Sequence, residues 1–240
     1  MKGPLRVALA AIASIASFAA AAASFGVSPM RVEFSAGVRT AVVTVNNSAD
    51  VPVTIQSQVL AWTQVDGKDV YEETRGFIVS PPIFTLAPGG RQIVRIALRE
   101  APPKSAEQAF RLVFREVPQA DEAVGEGPSF RIALGMNIPM YVAPIGGKAS
   151  PQSKFSAEGG PDGAPRIRVA NEGNGNLRLA SLVVTQDDKK LAEQDVFVVL
   201  AGATGFIALP GERVLPAKAL RVQAQSNAGP VDVSIELSGR

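Results

Sequence analysis

Phe130-Arg131-Ile132-Ala133-Leu134-Gly135-Met136-Asn137-Ile138-Pro139-Met140-Tyr141 alternates large apolar residues with small, polar or charged ones. A side-chain period of two is the period of a β-strand, so Phe130, Ile132, Leu134, Met136, Ile138 and Met140 fall on one face. The run exceeds the roughly five or six residues usual for a strand. It reads as a core strand over part of its length and as a sheet edge over the rest. Sheet edges are normally shortened, charged or covered. A long apolar edge therefore implies another protein whose sheet it completes. Pro139 has no N–H to give to a ladder and suits an end, a bulge or an edge.

Outward from this strand, short β-rich runs bounded by Gly, Pro, Asn or Asp recur. They are Ala41–Val45, Val53–Leu60, Gln92–Leu98 and Phe110–Val117 before it, and Arg166–Ala170, Ala180–Thr185, Val196–Leu200, Leu220–Ala224 and Val231–Leu237 after it. No stretch beyond residue 24 carries a helical apolar period. The pattern predicts an all-β chain of two immunoglobulin-like β-sandwiches. The Gly-rich, Pro-bounded segment 145–151 is expected to link a domain of residues 24–144 to one of residues 152–240. Phe110, Leu112 and Phe114 alternate and are expected in the first core. Pro81-Pro82 and Ala87-Pro88-Gly89-Gly90 read as turns, the former a place where a cis bond costs little. Trp62, the sole tryptophan, is expected in a core or a cleft, and the acidic Gln119–Pro128 stretch as a solvated loop.

Residues 1–23 have the form of a secretory signal peptide: Lys2 and Arg6, an apolar stretch from Val7 to Ala20, then Ala21-Ala22-Ala23. The stretch is Ala-rich and short for a bilayer. Cleavage after Ala23 would remove two of the positive charges behind the net +2 and leave a neutral chain. Such a chain lacks the basic footprint of nucleic-acid binding, and no later segment is long and apolar enough to insert in a membrane. The sequence has no Cys and no His. That excludes disulfides, Cys/His zinc sites, thiolate nucleophiles and imidazole acid–base chemistry. No cofactor motif occurs: Gly89-Gly90 does not lead from a strand into a helix.

Six stretches in order resemble the PapD-like periplasmic pilus chaperones of chaperone–usher assembly. They are Val27-Ser28-Pro29-Met30-Arg31-Val32-Glu33-Phe34, Val42–Asn47, Val79–Gly89, Gln92–Ile96, Phe114-Arg115-Glu116-Val117-Pro118, and the long strand ending at Pro144. The resemblance covers about residues 25–144; the second domain matches in size, strand content and position. It implies a boomerang of two Ig-like domains with the working surface in the cleft, a periplasmic location and no enzymatic activity. It implies pilin subunits and an outer-membrane usher as partners. The long strand would fill the groove of a subunit that lacks its last strand. Each of Phe130, Ile132 and Leu134 would then bury surface worth about 1.5–3 kcal/mol, with Met136 and Ile138 continuing the donor face. Unoccupied, such a strand favours self-capping by association.

The family also anchors the subunit's C-terminal carboxylate on two basic cleft residues. Arg31 falls at the first position. The second falls on Pro139, so Arg111, Arg115 and Arg131 are the candidate replacements, with Arg111 and Arg115 on one face of a strand. Ala143 stands where many members carry an Arg that ties the domains together. Two rivals remain at the level of sequence. One is a structural or adhesive Ig-like envelope protein. The other is a hydrolase using Asp187-Asp188 or Glu72-Glu73, pairs that sit in polar, turn-like stretches suited to solvation.

Overall fold

The computed structural model describes residues 25–117, 135–160, 163–210 and 218–236, and among these the chain forms strands and no helix. Phe130, Arg131, Ile132, Leu134, the Gln119–Pro128 loop and the leader lie outside the described residues.

The first half forms two sheets face to face. One runs β1 (Phe25–Ser28), β3 (Thr40–Asn47), β8 (Arg91–Leu98), β6 (Phe77–Ser80). The other runs β2 (Val32–Phe34), β10 (Gly135–Val142), β9 (Gln108–Glu116), β4 (Val53–Val65), β5 (Lys68–Glu73), with β7 (Ile83–Leu86) also on β4. The chain leaves β1 in one sheet and enters β2 in the other, so Pro29, Met30 and Arg31 form the crossing. Alternate residues of the facing strands make the core, among them Val43, Val45, Ile55, Val94, Ile96, Leu112, Phe114, Ile138 and Met140. As the alternation predicts, Phe110, Leu112 and Phe114 all point inward. Phe77 of one sheet packs between Phe34 and Phe110 of the other, with ring centroids 5.8 and 4.7 Å away. Such aromatic pairs add to the area they bury.

The second half repeats the plan with β11 (Ser153–Gly159), β12 (Pro165–Asn171) and β15 (Thr204–Ala208) against β14 (Lys189–Val199), β13 (Leu177–Gln186), β16 (Leu220–Ser226) and β17 (Gly229–Ile235). Its core, including Ile167, Val169, Leu179, Leu182, Val184 and Val222, is separate from the first. Each half locks a loop with one buried amide. Asn47 Nδ2 donates to the carbonyls of Val51, Leu86 and Ala87. Asn171 Nδ2 donates to those of Gly175, Val199 and Leu200. Buried amides need such partners, since an unmet one costs about 1–3 kcal/mol.

Two X-Pro bonds are cis, Ser28–Pro29 and Ser80–Pro81, the second at the front of the Pro81-Pro82 turn. Asp187 and Asp188 lie in a tight turn at φ 48° and 61°, and Glu72 and Glu73 are exposed on β5. All four side chains are exposed, and Asp187 pairs with Lys218.

Candidate functional site

The long strand changes character along its length. From Gly135 to Val142, β10 pairs with β9 throughout. On its other side β2 joins in parallel only at Met140, Tyr141 and Val142. Gly135–Pro139 therefore has no second strand neighbour among the described residues. Pro139 is the last position before β2 joins, an edge placement that its missing N–H permits. On the inward face, Ile138 and Met140 have no exposed surface and Met136 is half-buried against the core. Ile138 belongs wholly to this chain's own core. It fixes the strand from within that core. The other parity, Pro139 and Tyr141, faces the space between the two sandwiches.

That space is a cleft of about 1240 Å³ walled by the β1–β2 crossing, β9 and β10 on one side and β13 and β14 on the other. Its floor is a row of two aromatic rings bracketed by two cations. The Arg31 guanidinium lies 4.3 Å from the centre of the Tyr141 ring. Tyr141 packs on Trp62 at 6.1 Å. The Arg111 guanidinium lies 3.7 Å from the centre of the Trp62 ring. A cation over an aromatic face is held by the ring quadrupole, at about 0.5–2 kcal/mol. Arg111 arrives there because it pairs in register with Pro139 across β9 and β10. The basic group absent from Pro139 is thus present one strand over. Arg115, opposite Gly135, is exposed at the far end of β9; it shares the face of Arg111 and does not line the cleft. Arg131 lies outside the described residues.

The two guanidinium groups differ in what already holds them. Arg31 Nε donates to Glu33 Oε1 at 2.5 Å. Arg111 Nε is buried with no hydrogen-bond partner among the described residues. The cations also act on their neighbours. Burial pushes the Tyr141 hydroxyl up, and Arg31 and then Arg111 oppose it. Burial and the Asp69 hydrogen bond push Tyr71 up, again against Arg111.

The halves are joined by polar contacts without an ion pair at Ala143. Gln64 acts as a stand-in for a strand: its Nε2 donates to the Val198 carbonyl at 3.0 Å, and its Oε1 accepts from the Leu200 N–H at 2.9 Å. Trp62 and Tyr141 pack with Leu200 beside it. At the tip of the β4–β5 hairpin, Gly67 has φ +75°, and a Cβ there would sit 2.6 Å from the Phe206 ring. Only glycine meets both demands. On the far side, Glu107 N–H donates to the Asn174 carbonyl and Asn174 Nδ2 to the Ser105 carbonyl. The connecting segment is itself bonded at both ends, Ile145 to Pro103 and Ser150 to Asn174.

Sequence reading missed Tyr141, Glu107, Asn176 and Gln64. Tyr141 had a signal, because it shares parity with Pro139 at the family's anchor position. The other three are ordinary polar residues whose partners lie far along the chain.

A family model described as pili and flagellar-assembly chaperone, PapD N-terminal domain, matches residues 24–148. The chain belongs to this family. Among curated proteins, it is 32% identical over 149 residues to the probable fimbrial chaperone protein ElfD of Escherichia coli K12, covering 60% of each chain. It is 29% identical over 124 residues to the chaperone protein FanE of Escherichia coli, covering 51% of each. The chain thus matches only about half to three-fifths of these relatives' length. Among solved structures, it superposes on a chain of the CsuC–CsuE chaperone–tip adhesion subunit pre-assembly complex from the archaic chaperone-usher Csu pili of Acinetobacter baumannii. The TM-score is 0.70 at 20% identity, covering 89% of this chain and 98% of that one. A chain of the Salmonella enterica SafA pilin–SafB chaperone complex matches with TM-score 0.64 at 21% identity, covering 88% and 96%. These likenesses span both sandwiches and show the two-domain PapD-like fold.

Proposed function

We propose that this chain is a periplasmic chaperone that caps pilus subunits by lending them a strand and passes them to an outer-membrane usher. The observation that carries the reading is the half-paired β10. Among the described residues, Gly135–Pro139 is paired on one side only, and it runs towards a cleft floored by Arg31 and Arg111. A subunit lacking a strand would pair with this margin and with the residues before it. Phe130, Ile132 and Leu134, with Met136 at the boundary, would fill its groove. Main-chain bonds set register, and the alternate side chains give affinity. The subunit's terminal carboxylate would be held between Arg31 and Arg111, whose planar forks match it. The free chain would cover the same margin by self-association, and the energy of handover would come from completion of the subunit's own fold.

The test is co-expression with candidate pilins, followed by recovery of the complex from the periplasm. Leu134→Asp is expected to leave thermal unfolding unchanged and to abolish pilin recovery. Normal recovery with this variant would show that the strand is not the donor.

A further inference from the structure

Asn176 comes from the second sandwich, is 4% exposed, and has an amide that cannot turn over. Glu107 Oε1 accepts from its backbone N–H at 2.8 Å and from its Nδ2 at 2.7 Å. On the opposite side, Arg31 Nη2 donates to Asn176 Oδ1 at 3.4 Å. A carboxylate offers only acceptors and a guanidinium only donors. Turning the amide would set its NH₂ against Arg31 and its carbonyl against Glu107. Asn227 Nδ2 donates to the Asn176 main-chain carbonyl at 2.8 Å and steadies the backbone. The carbonyl of Asn176 is therefore directed at a cation carried by the other domain.

We propose that Asn176 is a positioning residue for Arg31: through the Glu107–Asn176 pair, the second domain holds the guanidinium where a subunit's terminal carboxylate is captured. This rests on the carboxylate-anchor reading above. The geometry suits restraint rather than saturation. At 3.4 Å the bond is long and easily given up. An incoming carboxylate can take the fork with two oxygens, while Tyr141 beneath and Asn176 beside it keep the plane oriented. The second sandwich then takes part in recognition although it carries neither the donor strand nor Arg31 and Arg111.

The experiment uses the mature chain and two probes: a short synthetic peptide alternating valine and threonine with a free C-terminal carboxylate, and its amide-capped twin. The wild type is expected to bind the free acid about tenfold or more tighter, the order set by one charge-assisted hydrogen bond. Arg31→Ala should remove most of that preference and leave the share that Arg111 holds. Asn176→Ala should cut it roughly threefold or more, and Asn176→Asp further, because its carboxylate occupies Arg31 and opposes Glu107. Gln64→Ala, which loosens the domains away from Arg31, should keep it. Glu107→Gln, which frees the amide to turn, should lower it and serves if the Asn176 variants fail to fold. No preference in the wild type overturns the anchor reading itself. A preference largely lost in Arg31→Ala but intact in the Asn176 and Glu107 variants overturns the role of Asn176 alone. An equal loss in Gln64→Ala also overturns it, in favour of general loosening.

Discussion

Replacing Arg111 by leucine separates a group kept for binding from one kept for stability. The leucine side chain covers much of the ground of the arginine stem. What is lost inside the molecule is the cation over Trp62 at 3.7 Å, about 0.5–2 kcal/mol, with the lesser contact of Arg111 to Tyr71. What is relieved is a buried Nε donor without a partner, a liability of about 1–3 kcal/mol. The two nearly cancel, so the net change lies within about 1–2 kcal/mol of zero, or a few degrees of Tm for a chain of this size. Binding has no such compensation. A charge-assisted bond to a carboxylate contributes about 1.5–3 kcal/mol, which is tenfold to just over a hundredfold in affinity. Arg111→Leu should therefore melt within a few degrees of the parent and bind the free-acid peptide about tenfold or more weakly, with the amide twin little affected. Trp62, the only tryptophan, is buried beneath this side chain and reports both measurements by its fluorescence. A large drop in Tm with equal losses for both peptides would mean that Arg111 is only a packing element of the cleft floor.

Glu33 competes for Arg31 in the free chain, and the pair is partly exposed, so Glu33→Gln should tighten free-acid binding only a few-fold; weaker binding in a titration would contradict this. Gln64→Ala breaks two interdomain hydrogen bonds, which together contribute about 1–3 kcal/mol, and should widen the distribution of domain angles seen by small-angle scattering; an unchanged profile would refute the lock. Burial pushes the Glu107 carboxyl above its ordinary 4.5, so between 4.5 and the raised value the folded chain holds more protons than the unfolded one, and this group's contribution to stability improves as pH falls through that window. Glu107→Gln should remove that contribution, so that between neutrality and 4.5 the variant loses more Tm on acidification than the parent; a smaller loss in the variant would show the sign to be wrong.

The sandwiches were legible because period-two alternation survives in strands such as β3, β4, β8 and β16. Phe110, Leu112 and Phe114 announced their core face without any partner in view. Asn47 closes a stretch that resembles the family, but nothing local says that its amide binds three carbonyls. Arg111 could be named as a candidate and not chosen over Arg115, because the choice depends on register with Pro139, which alternation leaves open. The interdomain set was hidden for a related reason. Gln64 and Leu200, or Glu107 and Asn176, carry no pattern that links them until the two halves are brought together.

On the proposed donor reading, the parallel clamp of β2 on Met140–Val142 would also work as a datum from which the lent segment is counted. In a lent strand each residue upstream would take its up or down sense from that fixed end, because side chains alternate along a strand. One residue inserted between Leu134 and Gly135 would turn Phe130, Ile132 and Leu134 to the wrong side while leaving the composition of the ribbon untouched. A second inserted residue would turn them back, one step further out. Fit between lender and borrower is in this sense arithmetic as well as chemical: it depends on an even count from a fixed stop.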